Sequence, residues 1–441
     1  MVVSSGAPTI ACLHLSDQPS IAAAAARLAA IAARTDGAQV DEARQRVDAI
    51  LQQVAQQGDA ALLELSQRFD GVRPDPLRIP AEQLEASWRS CSADLRDALE
   101  LAHRRLLDFH RRQWPVDLSV KGPHGEHIGR RWRPVHTAGL YVPGGLASYP
   151  STVLMNAVPA KVAGVKRLVM VTPPGRSGDP NPTVLAAAHL AGVREVYRVG
   201  GAQAIAALAY GTESIPQVDV ISGPGNLYVT LAKKAVYGRV AIDSLAGPSE
   251  VLVIADHSAK ADHVAADLLA QAEHDPLAAA ILLTTSAELA AAVPQAIEAQ
   301  LAGHPRAQIT RRAISDWGLI VVCQSLEQAA ELSDRFAPEH LELLVDDPTS
   351  LADRIQHAGA IFMGPHSPEA VGDYLAGPNH TLPTGGTARF AGALSVETFL
   401  RHTSLIQFNR AALEATGPAV VTLAESEGLH SHAESVRRRL G

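Results

Sequence analysis

The chain has 441 residues, 47% of them hydrophobic and 19% charged, with a net charge of −8. That is an ordinary soluble composition with material for about three domains. The acidic balance, scattered Lys and Arg and only 4% aromatics exclude an extended nucleic-acid or anionic-membrane surface. Cys12, Cys91 and Cys323 are isolated, which fits a reducing cytoplasm, and no run of about 18 apolar residues offers a membrane span. The Ala-rich stretch 21–33 lacks a preceding cationic start and contains Arg27, so it reads as a helix and not a signal peptide. Val47, Ile50, Leu51 and Val54 make a helical stripe, which Leu62, Leu63, Leu65 and Phe69 continue past Gly58. A third helix covers 95–109, where His103, Arg104 and His110 read as solvated surface. Pro115 ends this pattern, and 116–135 reads as strands about a turn at 122–125. An apolar strand at 139–145 opens a regular alternation. Strands over 167–172, 195–199 and 218–222 alternate with helices over 182–191, 202–210 and 227–237. After Glu250, strands over 251–255, 279–285, 319–322, 340–345 and 358–363 alternate with helices over 261–274, 287–301, 326–336 and 350–357. The rhythm predicts an α/β fold with two parallel sheets covered by helices. Residues 386–441 lose it and read as a Gly/Pro loop, then helices over 396–408 and 413–439 with a break at Gly417-Pro418.

Three glycine turns follow strands of the first unit: Gly144-Gly145, Gly200-Gly201 and Gly223-Pro224-Gly225-Asn226. Each brings backbone amides close to a ligand, and three in one unit favour a nucleotide or phosphate site. Neither GxGxxG nor GxxxxGK[ST] occurs. The second unit carries Ser249, Gln271, His274, Glu339, His340, Asp373 and His380 at element ends. Gln271 and His274 are three apart on one helix face, so a carbonyl oxygen and an imidazole project together. Read singly, His274 is a cationic helix end before Asp275-Pro276, Glu339-His340 an ion pair and Asp373 a turn aspartate. Read together, Gln271, His274 and Asp373 suit zinc or manganese, with His340 as base and Glu339 activating water. Spacing leaves the fourth ligand open among His380, His430 and His432.

The strings 139–145, 151–165, 200–214, 223–226, 242–256, 267–276, 337–343, 372–384 and 427–435, taken in order, resemble histidinol dehydrogenase over residues 36–441. The resemblance implies two Rossmann-like domains and a homodimer with one zinc per subunit. Its activity is oxidation of L-histidinol to L-histidine through histidinal with two NAD+, in the cytoplasm, with no nucleic-acid or membrane partner. Carried over by motif, the zinc ligands are Gln271, His274, Asp373 and His432, and the catalytic pair is Glu339 and His340. Ser249 and Glu427 join the ligands and His340 in substrate contact, and Tyr141, Gln203 and Asn226 contact NAD. His380 and His430 then have no assigned role. The implied organisation is an N-terminal helical segment (1–35), a zinc-bearing domain (36–138 plus 250–385), an NAD-contacting domain (139–249) and a C-terminal dimerisation region (386–441). Whether His432 acts in its own chain or in the partner's stays open.

Alternatives are a zinc hydrolase using Glu339, a non-catalytic binding module, a dehydrogenase of a related amino alcohol, and a cysteine thiohemiacetal route. The three cysteines lie outside every matched string, which disfavours the last.

Overall fold

The computed structural model describes residues 10–35, 38–144 and 149–441. A short strand β1 (Ala11–His14) leads into α1 (Gln18–Ala32), whose start is closed by a reciprocal cap between Asp17 and Ser20. Four helices follow, α2 (Ala38–Gln57), α3 (Asp59–Phe69), α4 (Ala81–Ser90) and α5 (Ala93–His110), then a hairpin of β2 (Leu118–Lys121) and β3 (His127–Pro134). The first alternating unit comprises β4 (Thr137–Tyr141), α6 (Pro150–Val162), β5 (Arg167–Thr172), α7 (Pro182–Leu190), β6 (Glu195–Arg198), α8 (Gly201–Tyr210), β7 (Val220–Ser222), α9 (Leu227–Val236) and β8 (Ala241–Ile242). The second begins with β9 (Glu250–Ala255), α10 (Ala261–Ala272), β10 (Ala279–Thr284), α11 (Ala287–Leu301), α12 (Ala307–Trp317) and β11 (Leu319–Val322). It continues through α13 (Leu326–Phe336), β12 (His340–Leu344), α14 (Pro348–Ala352), β13 (Ala360–Met363) and α15 (Glu369–Tyr374). The chain closes with β14 (Leu400–Gln407), α16 (Arg410–Ser426) and α17 (His430–Leu440).

Both long sheets are parallel, ordered β6-β5-β4-β7-β8 and β1-β11-β10-β9-β12-β13. In each, the unit's first strand is central and the connections reverse direction beside it, between β4 and β7 and between β9 and β12. These are the switch points at which doubly wound sheets open a crevice. β9, β10 and β12 are buried along their whole length, as strands covered on both faces must be.

Several elements differ from the sequence expectation. Residues 11–14, expected within a helical segment, form β1, which extends the second sheet beside β11. The helices of 38–110, expected to join the second unit, cover the first: α2 packs on α8 and α9, α4 on α7 and α5 on α6. The stripe Val47, Ile50, Leu51 and Val54 enters the same core as Val169, Leu208 and Ile221. A stripe says that a helix is covered and not by which sheet. His110 is buried, not solvated, with Nδ1 against Gln113 Oε1 at 2.6 Å. The expected helix over 396–408 is one tight turn, Val396–Phe399, followed by β14, which pairs antiparallel with β3 along all eight residues. The expected break at Gly417-Pro418 is absent. α16 runs through it, and a Cβ at Gly417 would lie 3.0 Å from Leu440 and 3.1 Å from Val436 of α17. Gly417 thus serves helix–helix approach, and the chain turns instead at Gly428, φ +73°.

Candidate active site

The glycine turns of the first unit lie at the carboxyl ends of β4, β6 and β7, and those after β4 and β7 flank the switch point. Tyr141 ends β4, and its hydroxyl accepts from Gly201 N at 3.1 Å. Gly201 has φ +64°, and a Cβ there would stand 2.8 Å from the Gln203 Oε1 atom. Gly223, φ +119°, passes so close to β4 that a Cβ would meet Tyr141 O at 2.0 Å, so only glycine fits. Gly223 N donates to Asp243 Oδ2 at 2.8 Å, its carbonyl accepts from Lys233 Nζ at 3.0 Å, and Lys233 is paired with Asp243. This buried ion pair, absent from the sequence reading, locks the turn. Asn226 caps α9 by accepting from Val229 N at 3.2 Å, and Gln203 is buried. A cavity of about 780 Å³ opens beside the carboxyl ends of β4 and β5, against Pro143, Gly144, Thr172, Pro173 and Asn181. Its size is that of a small-molecule or cofactor site. Gly145 lies outside the described residues.

The second unit concentrates its polar groups at the opposite, amino, edge of its sheet. Glu250 is the first residue of β9 and His340 the first of β12, its neighbour in the sheet. Glu250 N donates to Glu339 Oε2 at 2.9 Å, and His340 Nδ1 donates to Glu250 O at 3.1 Å. A carbonyl can only accept, so the proton sits on Nδ1 and Nε2 is left bare; Nε2 is buried without a partner. α10 is the crossover that returns the chain to this same edge, and it ends at Gln271 and His274. The orientation that satisfies the Gln271 amide has it donate to Glu369 Oε2 at 2.9 Å and accept from Glu250 N at 3.2 Å. Ligand atoms of His274, Glu369 and Asp373 all lie within 4.8 Å of one another.

Glu369 is the group that sequence reasoning missed. It lies four residues before Asp373 on α15, so both project from one helix face. That spacing was the available signal. Glu369 N donates to Glu342 Oε1 at 2.8 Å, and the Glu342 carboxyl lies close to that of Asp267. Burial holds Glu339 and Glu369 well above the usual carboxylate range, and neighbouring carboxyls reinforce this. Burial and Asp267 push Glu342 up to about 9. Burial pushes His340 down to about 3 and His380 down to about 4. The nitrogen and oxygen donors of His274, Asp373, Glu369 and Gln271 fit zinc.

Ser249 precedes Glu250, its carbonyl accepting from Ala279 N at 3.0 Å. Glu427 and His432 are not brought there within one chain: both are exposed, at the end of α16 and on α17. His430 starts α17. Cys12 is exposed on β1, Cys91 follows α4, and Cys323 lies in the core beyond β11, its thiol pushed up to about 12 by burial. Among the described residues no helix is long and apolar enough to cross a membrane.

The histidinol dehydrogenase family model matches residues 33–440. The chain is 67% identical over 417 residues to a histidinol dehydrogenase of Parasynechococcus marenigrum strain WH8102, covering 95% of each. It is 69% identical over 409 residues to one of Prochlorococcus marinus strain MIT 9313, covering 93% of this chain and 92% of the relative. The crystal structure of histidinol dehydrogenase from Elizabethkingia anophelis superposes with a TM-score of 0.92 at 35% identity, covering 98% of each chain. With a match over nearly its whole length in sequence and in fold, the chain belongs to the histidinol dehydrogenase family of NAD-dependent oxidoreductases.

Proposed function

We propose that this chain oxidises L-histidinol through histidinal to L-histidine, the last chemistry of histidine biosynthesis, with two NAD+ and one zinc per subunit. The observation that carries the reading is the bare, buried Nε2 of His340 beside Glu339 and the His274–Glu369–Asp373 cluster.

Gln271, with its carbonyl oxygen turned from Glu250 N toward the cluster, would hold zinc together with His274 and Asp373, and His432 would be the fourth ligand. Zinc would supply a Lewis-acid template for the substrate's imidazole and amino nitrogens. Ser249 and Glu427 would complete the substrate contacts. His340 Nε2 takes the hydroxyl proton as hydride leaves the carbinol carbon for the nicotinamide, giving aldehyde, NADH and H+. Glu339 then aids addition of water to the aldehyde. His340 again takes a hydroxyl proton as the second hydride leaves, giving the carboxylate, a second NADH and further protons. An imidazole held neutral is available for both steps and does not repel a dication. NAD would lie across the carboxyl ends of the first sheet, at Tyr141, Gln203 and Asn226, with the neighbouring cavity accepting part of it.

Since His432 and Glu427 sit on exposed C-terminal helices, they would reach the site of a second copy. Ile406, 73% exposed on β14, and Leu423, 64% exposed on α16, lie in the same region with Phe408 and Val420. Exposed apolar side chains along this segment fit dimerisation through 386–441. For the other segments, packing supports grouping 38–110 with the NAD-contacting sheet and residues 10–35 with the zinc-bearing one.

The test is stoichiometry: limiting histidinol should give two NADH per molecule, abolished by a chelator and restored by zinc. One NADH per histidinol, or full turnover without metal, would overturn the reading; a zinc hydrolase would give none.

A further inference from the structure

We propose that Arg34 is the positioning residue of the catalytic pair, acting through the backbone of Glu250; this rests on the reading of Glu339 and His340 as catalytic. Arg34 stands just beyond α1, in a segment where sequence patterning gives it no role. Its side chain and that of Glu250 are 1% and 0% exposed. Nη1 donates to Ile31 O at 2.8 Å and Glu250 Oε1 at 2.9 Å. Nη2 donates to Pro248 O at 2.7 Å and Ser249 O at 3.2 Å, and Nε to Leu277 O at 2.6 Å. These bonds use the full donor set of a guanidinium.

They join three segments. The first is the end of α1. The second is 248–250, which links the first unit to β9. The third is Leu277, three residues beyond His274. The middle segment matters most, because Glu250 supplies both backbone contacts that aim the catalytic groups. Its N–H fixes the Glu339 carboxylate and its carbonyl fixes the His340 ring and tautomer. A shift of 248–250 would therefore move base and water-activating group together. The buried Glu250 carboxylate would also lose its counter-charge. Lysine cannot replace this arrangement, since one ammonium offers three donors at a point instead of a planar fork.

The test uses full-length, zinc-loaded enzyme carrying Arg34→Lys or Arg34→Met, beside His340→Asn. A displaced catalytic group costs about 100-fold, so kcat should fall by about that much in both Arg34 variants. KM for NAD+ should stay within about threefold, because the glycine turns of the first unit are untouched, and any change in KM for histidinol passed on through Ser249 should be much smaller than the fall in kcat. Lysine should not rescue turnover, and 15N spectra should show the His340 Nδ1–H tautomer of the parent enzyme give way to a mixture. If Arg34→Met does not fold, Arg34→Lys carries the test. Wild-type kcat in Arg34→Lys, or an unchanged His340 tautomer in it, would overturn the proposal while His340→Asn stayed inactive. Turnover in His340→Asn would instead overturn the catalytic reading on which the proposal rests.

Discussion

The two parallel sheets share a winding order, and the proposed function uses them at opposite ends. At the carboxyl ends of β4 and β7 the first unit offers glycine turns, backbone amides and neutral side chains, braced by the Lys233–Asp243 pair. At the amino edge of β9 and β12 the second gathers Glu250, Glu339, Glu342, Glu369 and Asp373 around His340. A dinucleotide needs close backbone approach and no repulsion, and the first end provides that. A dication and a migrating proton need buried, tunable acids and bases, and the second provides those. Winding order thus does not decide which end of a sheet gathers ionisable groups. The crossover α10 and the helix α15 decide it here, because they deliver His274, Glu369 and Asp373 to the amino edge.

The contrast can be broken by substitutions on either side. The largest effect is expected from His340→Asn, which removes the base of both oxidations; a loss of about 1,000-fold on histidinol and on histidinal should appear in NADH formation from each. Next comes Asp373→Asn, which should abolish stoichiometric zinc and with it turnover. Burial raises Asp373 and holds Glu369 well above the carboxylate range, so these groups take up protons early as pH falls. Zinc affinity of the parent should therefore drop with falling pH and rise with pH, read by chelator competition. Glu339→Gln should be selective, slowing histidinal oxidation by about 100-fold and histidinol oxidation much less.

On the other sheet, Gly201→Ala forces a Cβ onto a residue at φ +64°. KM for NAD+ should rise about tenfold while zinc content stays unchanged, as a loss of about 1.4 kcal/mol of binding requires. The smallest effect is expected from Glu342→Gln. With its value near 9, Glu342 is protonated in the folded chain at neutral pH and ionised in the unfolded one. Parent stability should decline as pH rises from the ordinary carboxylate range to about 9. The amide variant should lose much of that slope, measured by denaturant unfolding at pH 6 and 9, with the least change in turnover of the set.

Much of this frame was legible before any coordinates. Strands buried on both faces are continuous apolar runs, so 251–255 and 279–285 announced themselves, and glycine turns marked the first sheet's carboxyl ends. What escaped depends on distant partners. Residues 400–407 become a strand only because β3, far back in the chain, offers an edge. The helix α2 carries a clear stripe and no label for the sheet it covers. Glu369 had a local signal, its spacing from Asp373, but Arg34 had none. A single arginine after an Ala-rich helix looks solvated until the carbonyls of 248, 249 and 277 surround it.

The central claim is that the amino edge of the second sheet is the reacting site and that the C-terminal arm of a second copy completes it. Mixing subunits tests both halves. His432→Ala and His340→Asn chains should each be inactive alone. Unfolded together and refolded, they should regain NADH formation, because one site in each hybrid dimer combines an intact His340 with His432 of the other copy. Hybrid dimers that form and stay as inactive as the parents would contradict the account.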